Sequence, residues 1–181
     1  MAPYSIRMVG DPVLRQRAAE VTTVDGRLAK LAEDMVATMY EAPGVGLAAP
    51  QVGVEKRLFV YDVGDGPHAL VNPVVVDSDG EWAYEEGCLS VPGLSWEIVR
   101  PRRVHVRAVD LDGSDVSIEA EDLLARCLQH EIDHLDGVLL LERLDPDTRK
   151  QALRTIRERG IGADASRSPA GPGVAGLSFG R

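Results

Sequence analysis

The chain has 181 residues, of which 44% are hydrophobic, so it is long enough for one compact domain with a sizeable core. Its 29 Asp and Glu outnumber its 20 Lys and Arg, which gives a formal net charge of -9. This balance argues against general nucleic-acid binding, because phosphate contacts draw on an excess of basic residues. The two cysteines, Cys88 and Cys127, do not form a secreted-type disulfide framework. With no apolar signal core and no membrane-length apolar run, we expect a cytoplasmic protein with free thiols.

The first predicted element is a helix over residues 25–42. Asp25 is a favourable N-cap, and Pro43 and Gly44 end the segment. Apolar residues recur along one face, which we expect to cover a sheet: Leu28, Leu31, Met35, Val36 and Met39.

Short segments rich in β-branched residues follow, each bounded by Gly, Asp, Asn or Pro, and they are predicted to be strands. They cover residues 57–63, 69–71, 74–77, 103–111 and 116–119. Asp112 and Gly113 indicate a hairpin turn between the last two. Because hairpins dominate over strand-helix-strand crossovers, we predict an α+β fold with mainly antiparallel sheets packed around a central metal-binding helix, flanked by an N-terminal and a C-terminal helix.

The central helix carries the most informative motif. Residues 129–137 read QHEIDHLDG, in which His130, Glu131 and His134 have the spacing H-E-x-x-H. Residues four apart lie on one face of a helix, so both imidazoles can reach a single divalent ion. Glu131 stands beside the first ligand, where it can accept a proton from an attacking water. Apolar residues at helical spacing begin near Glu121, and Asp136 and Gly137 give the stop signal.

A catalytic metal usually has three protein ligands, and the residues alone leave the third open. Cys127 lies on the same helical face as His130, but a ligand three residues away would strain the geometry. Glu158 lies 24 residues after His134, a separation that some zinc peptidases use. The metzincin pattern is excluded, because Leu140 occupies the position of its third His.

Residues 146–159 are predicted to form a helix, with Asp145 as cap and Pro146 at the first position. Five basic residues against Asp147 and Glu158 give this helix a net charge of +3: Arg149, Lys150, Arg154, Arg157 and Arg159. Residues 161–181 are rich in Gly, Pro and Ser without apolar periodicity, and we predict a flexible C-terminal tail.

Three motifs, in this order, resemble those of the peptide deformylases. They are GVGLAAPQ at residues 44–51, EGCLS at residues 86–90 and QHEIDH at residues 129–134. The resemblance extends over residues 1–159 with no departure at a motif position. It implies a peptide deformylase catalytic domain over residues 1–160.

The resemblance also implies a reaction, the hydrolysis of the N-formyl group from the N-terminal formylmethionine of newly made bacterial polypeptides, with release of formate. The implied metal ligands are Cys88, His130 and His134. Such ligands suit Fe²⁺, Zn²⁺, Ni²⁺ or Co²⁺, and the family physiologically favours Fe²⁺. Glu131 is the implied proton acceptor. The Gln51 side chain and the Leu89 backbone N–H are implied donors to the developing oxyanion.

Substrate contacts are expected along the first motif, where Gly44 and Gly46 allow close backbone approach. The walls of a methionine pocket are expected to include Val45, Leu123 and Cys127. Either Glu86 or Asp133 could orient a ligand histidine, and the sequence does not decide between them. The expected partners are formylmethionyl peptides and nascent chains. The family also suggests docking of the basic 146–159 helix on the ribosome.

Two other classes of protein compete with this interpretation. A zinc peptidase would use Glu158 as third ligand and would cleave unformylated peptides. A non-catalytic ribosome-associated protein would need a closed structural site, for which His68, His105 and Cys127 could supply the fourth ligand.

Overall fold

The computed structural model describes residues 4–162. Within that range the helices are α1 (Gly26–Glu41), α2 (Asp122–Leu135) and α3 (Pro146–Glu158). The strands are β1 (Gly46–Ala48), β2 (Leu58–Tyr61), β3 (His68–Asp79), β4 (Trp82–Gly87), β5 (Ser95–Arg100), β6 (Arg103–Val109) and β7 (Asp115–Glu121). Short 3-10 helices occupy Pro12–Arg15, Ala49–Val52 and Leu140–Arg143. From residue 163 onward the predicted tail lies outside the described residues.

The strands form two sheets, and every strand pair within them is antiparallel. The larger sheet has the order β1-β2-β3-β6-β7, and β4 pairs only with β5 among the described residues. Most neighbouring strands are consecutive in the chain, as the turn at Gly113 with φ +83° illustrates between β6 and β7. The exception is the pair β3 and β6, between which the chain forms β4 and β5. The predicted α+β fold with mainly antiparallel sheets is confirmed.

Helix α1 begins where the sequence predicts. The Asp25 carboxylate accepts hydrogen bonds from the backbone N–H groups of Arg27 and Leu28, which satisfies two donors of the first turn. The apolar face of α1 packs on one side of the larger sheet, where Met35 and Met39 are fully buried with Leu58 and Val60 of β2. Burying each such side chain contributes roughly 1.5–3 kcal/mol.

Two strand predictions are wrong in detail. Residues 69–71 and 74–77 belong to one strand, β3, because register shifts opposite β6 absorb the interruption at Asn72 and Pro73. The Asn72 side chain hydrogen-bonds both the N–H and the carbonyl of Val21, which holds this residue at φ +50°. Strands β1, β4 and β5 are not among the predicted strands, because β1 has only three residues and β4 and β5 alternate without a clean apolar face.

Helix α2 packs against the larger sheet on a core that includes Phe59, Val106 and Leu128. It ends at Asp136, and Gly137 follows with φ +74°, a backbone conformation that favours glycine. Helix α3 starts at the predicted cap, Asp145, and packs through Ala152 and Ile156. No helix within residues 4–162 is long and apolar enough to span a bilayer.

Candidate metal centre

Helix α2 and the turn after β4 bring together three side chains that could hold a metal ion. His130 and His134 lie one helical turn apart, and Cys88 follows the last residue of β4. The Cys88 Sγ lies 3.2 Å from the His134 Nε2, which is also 3.2 Å from the His130 Nε2. All three donor atoms lie within 4.8 Å of one another, and all three residues are buried. The structure thus unites the two predicted histidines with the third ligand that the resemblance implied.

This donor set fits a single divalent transition-metal ion. Donors about 2.0–2.3 Å from a tetrahedral ion lie roughly 3.3–3.8 Å apart, close to the two separations of 3.2 Å found here. The buried His134 Nδ1 has no hydrogen-bond partner among residues 4–162, whereas its Nε2 faces the other two donors. Thiolate and imidazole ligands favour iron, zinc, nickel or cobalt over calcium or magnesium.

Glu86, rather than Asp133, orients a ligand histidine. The His130 Nδ1 lies 2.6 Å from Glu86 Oε1, so the ring can donate there and leave Nε2 for a metal. Arg100 donates to both oxygens of Glu86, at 2.9 and 2.7 Å. Arg126 donates a further hydrogen bond of 2.7 Å. Asp133 instead accepts hydrogen bonds from Arg100 and Arg143.

These pairings explain the electrostatics of the ligands. Burial opposes ionisation of Cys88, but His134 and His130 outweigh it and hold the pKa of the thiol well below its usual range. Burial likewise opposes protonation of His130, but Cys88 and Glu86 raise its pKa well above the usual value. Burial opposes ionisation of Glu86, while His130 and Arg100 keep its pKa low. The site therefore favours the thiolate form that a metal requires.

Glu131 differs from its neighbours because its charge is not paired. Both carboxylate oxygens are buried and have no hydrogen-bond partner within residues 4–162. Burial raises the pKa of Glu131 to about 7, against the opposing effect of His130 and His134. Gly46 of β1 packs directly on this carboxylate. A Cβ added at Gly46 would lie 2.8 Å from the Glu131 Cδ and closer still to Oε1.

Gln51 reaches the same place from the 3-10 helix Ala49–Val52. Its Oε1 accepts a hydrogen bond of 2.8 Å from the Ala48 N–H. Its Nε2 lies 3.8 Å from the Cys88 Sγ. Leu89 follows Cys88, is 5% exposed, and its side chain lies against Gly44. Both residues are therefore close to the three ligands.

Of the three residues expected to line the methionine pocket, two are in contact with each other. The Cys127 thiol donates to the Val45 carbonyl over 3.5 Å, and both residues pack in the core cluster beside the larger sheet. Leu123 is half-buried in the first turn of α2, where its neighbour Leu124, not Leu123, joins that cluster. Burial raises the pKa of Cys127 well above its usual value, so this thiol is a poor metal ligand.

The alternative ligands lie elsewhere. Glu158 is exposed at the end of α3. His68 lies 3.3 Å from Asp65, and His105 lies 2.7 Å from the Ser117 hydroxyl. Among the described residues, only Cys88, His130 and His134 form a potential metal-binding cluster.

Sequence reasoning missed two residues at the site, Arg126 and Ser90. Arg126 is buried beneath the rings of Trp82 and Tyr84, with its Cζ 4.9 and 5.7 Å from their centroids. Its position one turn before His130 was a usable signal, since it places a basic residue on the same face of α2. Ser90 is the last residue of the EGCLS motif, but its contact with Gln51 depends on the packing of distant segments and cannot be inferred from spacing.

The fold and the cluster of metal-binding side chains are those of a metallohydrolase. A model of the polypeptide deformylase family matches residues 3–150. The chain is 52% identical to the peptide deformylase of Acidothermus cellulolyticus over 158 residues, which cover 87% of this chain and 88% of the relative. It belongs to the polypeptide deformylase family, and it is a metal-dependent hydrolase that removes the formyl group from nascent peptides.

Solved structures agree with this assignment. The peptide deformylase of Thermus thermophilus superimposes with a TM-score of 0.85 at 44% identity, covering 90% of this chain and 99% of that one. The Ehrlichia chaffeensis enzyme in complex with actinonin superimposes with a TM-score of 0.84 at 41% identity, covering 88% and 98%. The fold of the described chain is therefore that of the family.

Gly46→Ala tests whether the space beside Glu131 is needed. The added methyl overlaps the carboxylate and displaces it, and a displacement of about 1 Å at a reacting group can cost on the order of 10²-fold in rate. We expect a loss of this size in formate release, with normal metal content. Gly26→Ala is the control, because a Cβ at Gly26 meets nothing within 4 Å. Native turnover in Gly46→Ala would show that Glu131 tolerates other positions.

Proposed function

We propose that Cys88, His130 and His134 hold one divalent ion, physiologically Fe²⁺, with Zn²⁺, Ni²⁺ or Co²⁺ able to replace it. The observation that carries this proposal is the convergence of three buried donor atoms beside the unpaired carboxylate of Glu131. We assign the catalytic domain to residues 1–160. Because nascent chains emerge from ribosomes in the cytoplasm, we place the protein there.

When bound, such an ion supplies a Lewis acid that lowers the pKa of water and polarises the formyl oxygen. Glu131 takes the proton of the attacking water and then delivers it to the amine that leaves when the formyl C–N bond breaks. With no hydrogen-bond partner within residues 4–162, this carboxylate is free for both transfers. Proton transfer by a positioned carboxylate typically contributes about 10²- to 10⁴-fold in rate.

Negative charge develops on the formyl oxygen as the water attacks, and we assign its stabilisation to the Gln51 Nε2 and the Leu89 backbone N–H. The proximity of Gln51 to Cys88 and the position of Leu89 next to this ligand support the assignment. Each such donor is typically worth about 10²- to 10³-fold in rate.

The substrate peptide lies along the backbone of Gly44, Val45 and Gly46 in this proposal, with its methionine side chain against Val45, Leu123 and Cys127. Burying a methionine side chain supplies roughly 1.5–3 kcal/mol, which favours methionine without demanding it.

Glu131→Ala provides the first test. Formate release from formyl-Met-Ala-Ser by iron-loaded protein, purified without oxygen, should fall about 10²- to 10⁴-fold because the proton acceptor is missing. The metal content should be unchanged, since all three ligands remain.

Glu158→Ala is the matched control for this test. It removes the exposed carboxylate that the zinc-peptidase alternative uses as a ligand. It should keep native metal content and turnover. Loss of metal in Glu158→Ala, together with cleavage of unformylated Met-Ala-Ser by the native protein, would instead support that alternative.

Cys88→Ser tests the third ligand, with Cys127→Ser as its partner. Both cysteines are buried, but only Cys88 faces the histidines. A hydroxyl is a much poorer ligand than a thiolate, so Cys88→Ser should weaken metal affinity by more than about tenfold. A loss of about tenfold is the lower end of the range found when a residue that only supports a metal ligand is mutated. Metal retention is measured after dialysis against a chelator. Equal retention in the two variants would contradict the assignment of Cys88.

We also propose that α3 docks on the ribosome. Its outer side forms a groove of about 500 Å³ that is lined mainly by basic side chains, with the apolar Leu153 between them. Lys150, Arg154 and Arg157 form no ion pair with any other residue of the described chain, so their charges are available. On a chain with a formal net charge of -9, this helix is the region that suits ribosomal RNA.

Replacement of Lys150, Arg154 and Arg157 by Ala should abolish salt-sensitive cosedimentation with ribosomes and leave hydrolysis of formyl-Met-Ala-Ser unchanged. The control replaces three exposed basic residues elsewhere, Arg27, Lys56 and Arg107. Equal binding of both triple variants would contradict docking through α3.

A further inference from the structure

Ser90 occupies a buried position beside the proposed oxyanion donor. It follows Leu89 in the turn that the hydrogen bond from the Val91 N–H to the Cys88 carbonyl closes, and it is fully buried. Its Oγ accepts a hydrogen bond of 3.1 Å from the Gln51 Nε2. The contact therefore joins two loops whose sequence positions differ by 39 residues.

The Gln51 carboxamide is held at both ends. The Ala48 N–H occupies the oxygen end, so the NH₂ end must point at the turn that carries Cys88 and Ser90. A primary amide nitrogen has two hydrogens. One hydrogen points at the Ser90 Oγ, and because the amide is planar, this fixes the direction of the second hydrogen. The second hydrogen lies on the side of Cys88, whose Sγ is 3.8 Å from the Gln51 Nε2.

The backbones of the two loops are tied together independently of the serine hydroxyl. The Arg7 N–H donates to the Gln51 carbonyl over 2.7 Å, and the Val9 N–H donates to the Ser90 carbonyl over 2.9 Å. One extended N-terminal segment therefore spans both loops. Removing the Ser90 hydroxyl should leave the loops in place and change mainly the freedom of the Gln51 amide.

We propose that Ser90 is a positioning residue for the deformylation reaction, which holds the Gln51 amide so that one N–H faces the formyl oxygen as charge develops there. This inference rests on the proposed role of Gln51. Without the hydroxyl, the buried amide loses the acceptor of one hydrogen and can rotate away from the reacting carbonyl.

The test is a double-mutant cycle of Ser90→Ala and Gln51→Ala, assayed for formate release below the lowest melting temperature of the set. Gln51→Ala alone should lower kcat about 10²- to 10³-fold, and Ser90→Ala alone about tenfold, a part of that effect. KM and metal content should stay near native values. The double variant should match Gln51→Ala, because Ser90 acts only through Gln51.

Thr38→Val is the matched control for deleting a buried hydroxyl. The Thr38 Oγ1 donates to the Asp34 carbonyl and accepts from the Tyr4 N–H, and none of these residues is assigned to the site. This variant should lower the melting temperature and keep native kcat. A similar loss of kcat in Thr38→Val and Ser90→Ala would mean that Ser90 is merely structural.

The outcomes distinguish the proposed role of Gln51 from the proposed role of Ser90. Native kcat in Gln51→Ala would overturn the oxyanion role of Gln51 and with it the proposal for Ser90. If Gln51→Ala is impaired but Ser90→Ala lowers kcat equally in both backgrounds, the role of Ser90 alone fails.

A measurement on the native, zinc-loaded protein does not depend on how the variants fold. Hydrogen exchange of the Gln51 side-chain amide, followed by nuclear magnetic resonance, should be slow compared with that of the exposed Gln151. Equal exchange rates for the two amides would overturn the proposal.

Discussion

The burial of a polar helix is the constraint on which the rest of the structure depends. Every residue of α2 from Ala125 to Leu135 is buried. Six of them have polar or charged side chains: Arg126, Gln129, His130, Glu131, Asp133 and His134. A buried polar group without a partner costs roughly 1–3 kcal/mol, so the surrounding strands and loops must supply donors and acceptors. The Pro101 carbonyl does so for Gln129, and Arg100 does so for Asp133.

Glu86 is the centre of this arrangement, because it attaches the β4–β5 hairpin to α2. An isolated two-stranded hairpin is marginally stable in water. Here Glu86 and Arg100 lie on opposite strands of the hairpin, and they contact His130 and Asp133 of the helix. Removing one partner from such a buried ion pair typically lowers the free energy of unfolding by about 3–5 kcal/mol. Because Cys88 follows Glu86 by two residues, the same contacts that attach the hairpin also place the thiol beside the imidazoles.

The parts of this structure that sequence reasoning predicted are local ones. The caps of α1 and α3, the turn at Gly113 and the pairing of His130 with His134 depend on residues within one or two turns, where spacing fixes geometry. The separation between Cys88 and the histidines carries no such information, and only the resemblance to a family placed this ligand. The choice between Glu86 and Asp133 stayed open for the same reason. It depends on which carboxylate the packing of the hairpin against α2 brings to the His130 Nδ1.

The Glu131 carboxylate is unusual on α2, because most buried polar side chains of this helix have hydrogen-bond partners and it has none within the described chain. His130 and Asp133 have hydrogen-bond partners on either side of Glu131, yet within the described chain the two Glu131 oxygens have none. Gly46 reinforces this state, because it packs a Cα with no side chain against the carboxylate and brings no side-chain donor. A polar group without a partner in a low-dielectric site destabilises the fold. Such a group can accept a proton without first breaking a hydrogen bond to a neighbouring residue. The paired residues of α2 therefore stabilise the helix, and they offset the cost of burying Glu131 without a partner in the described chain.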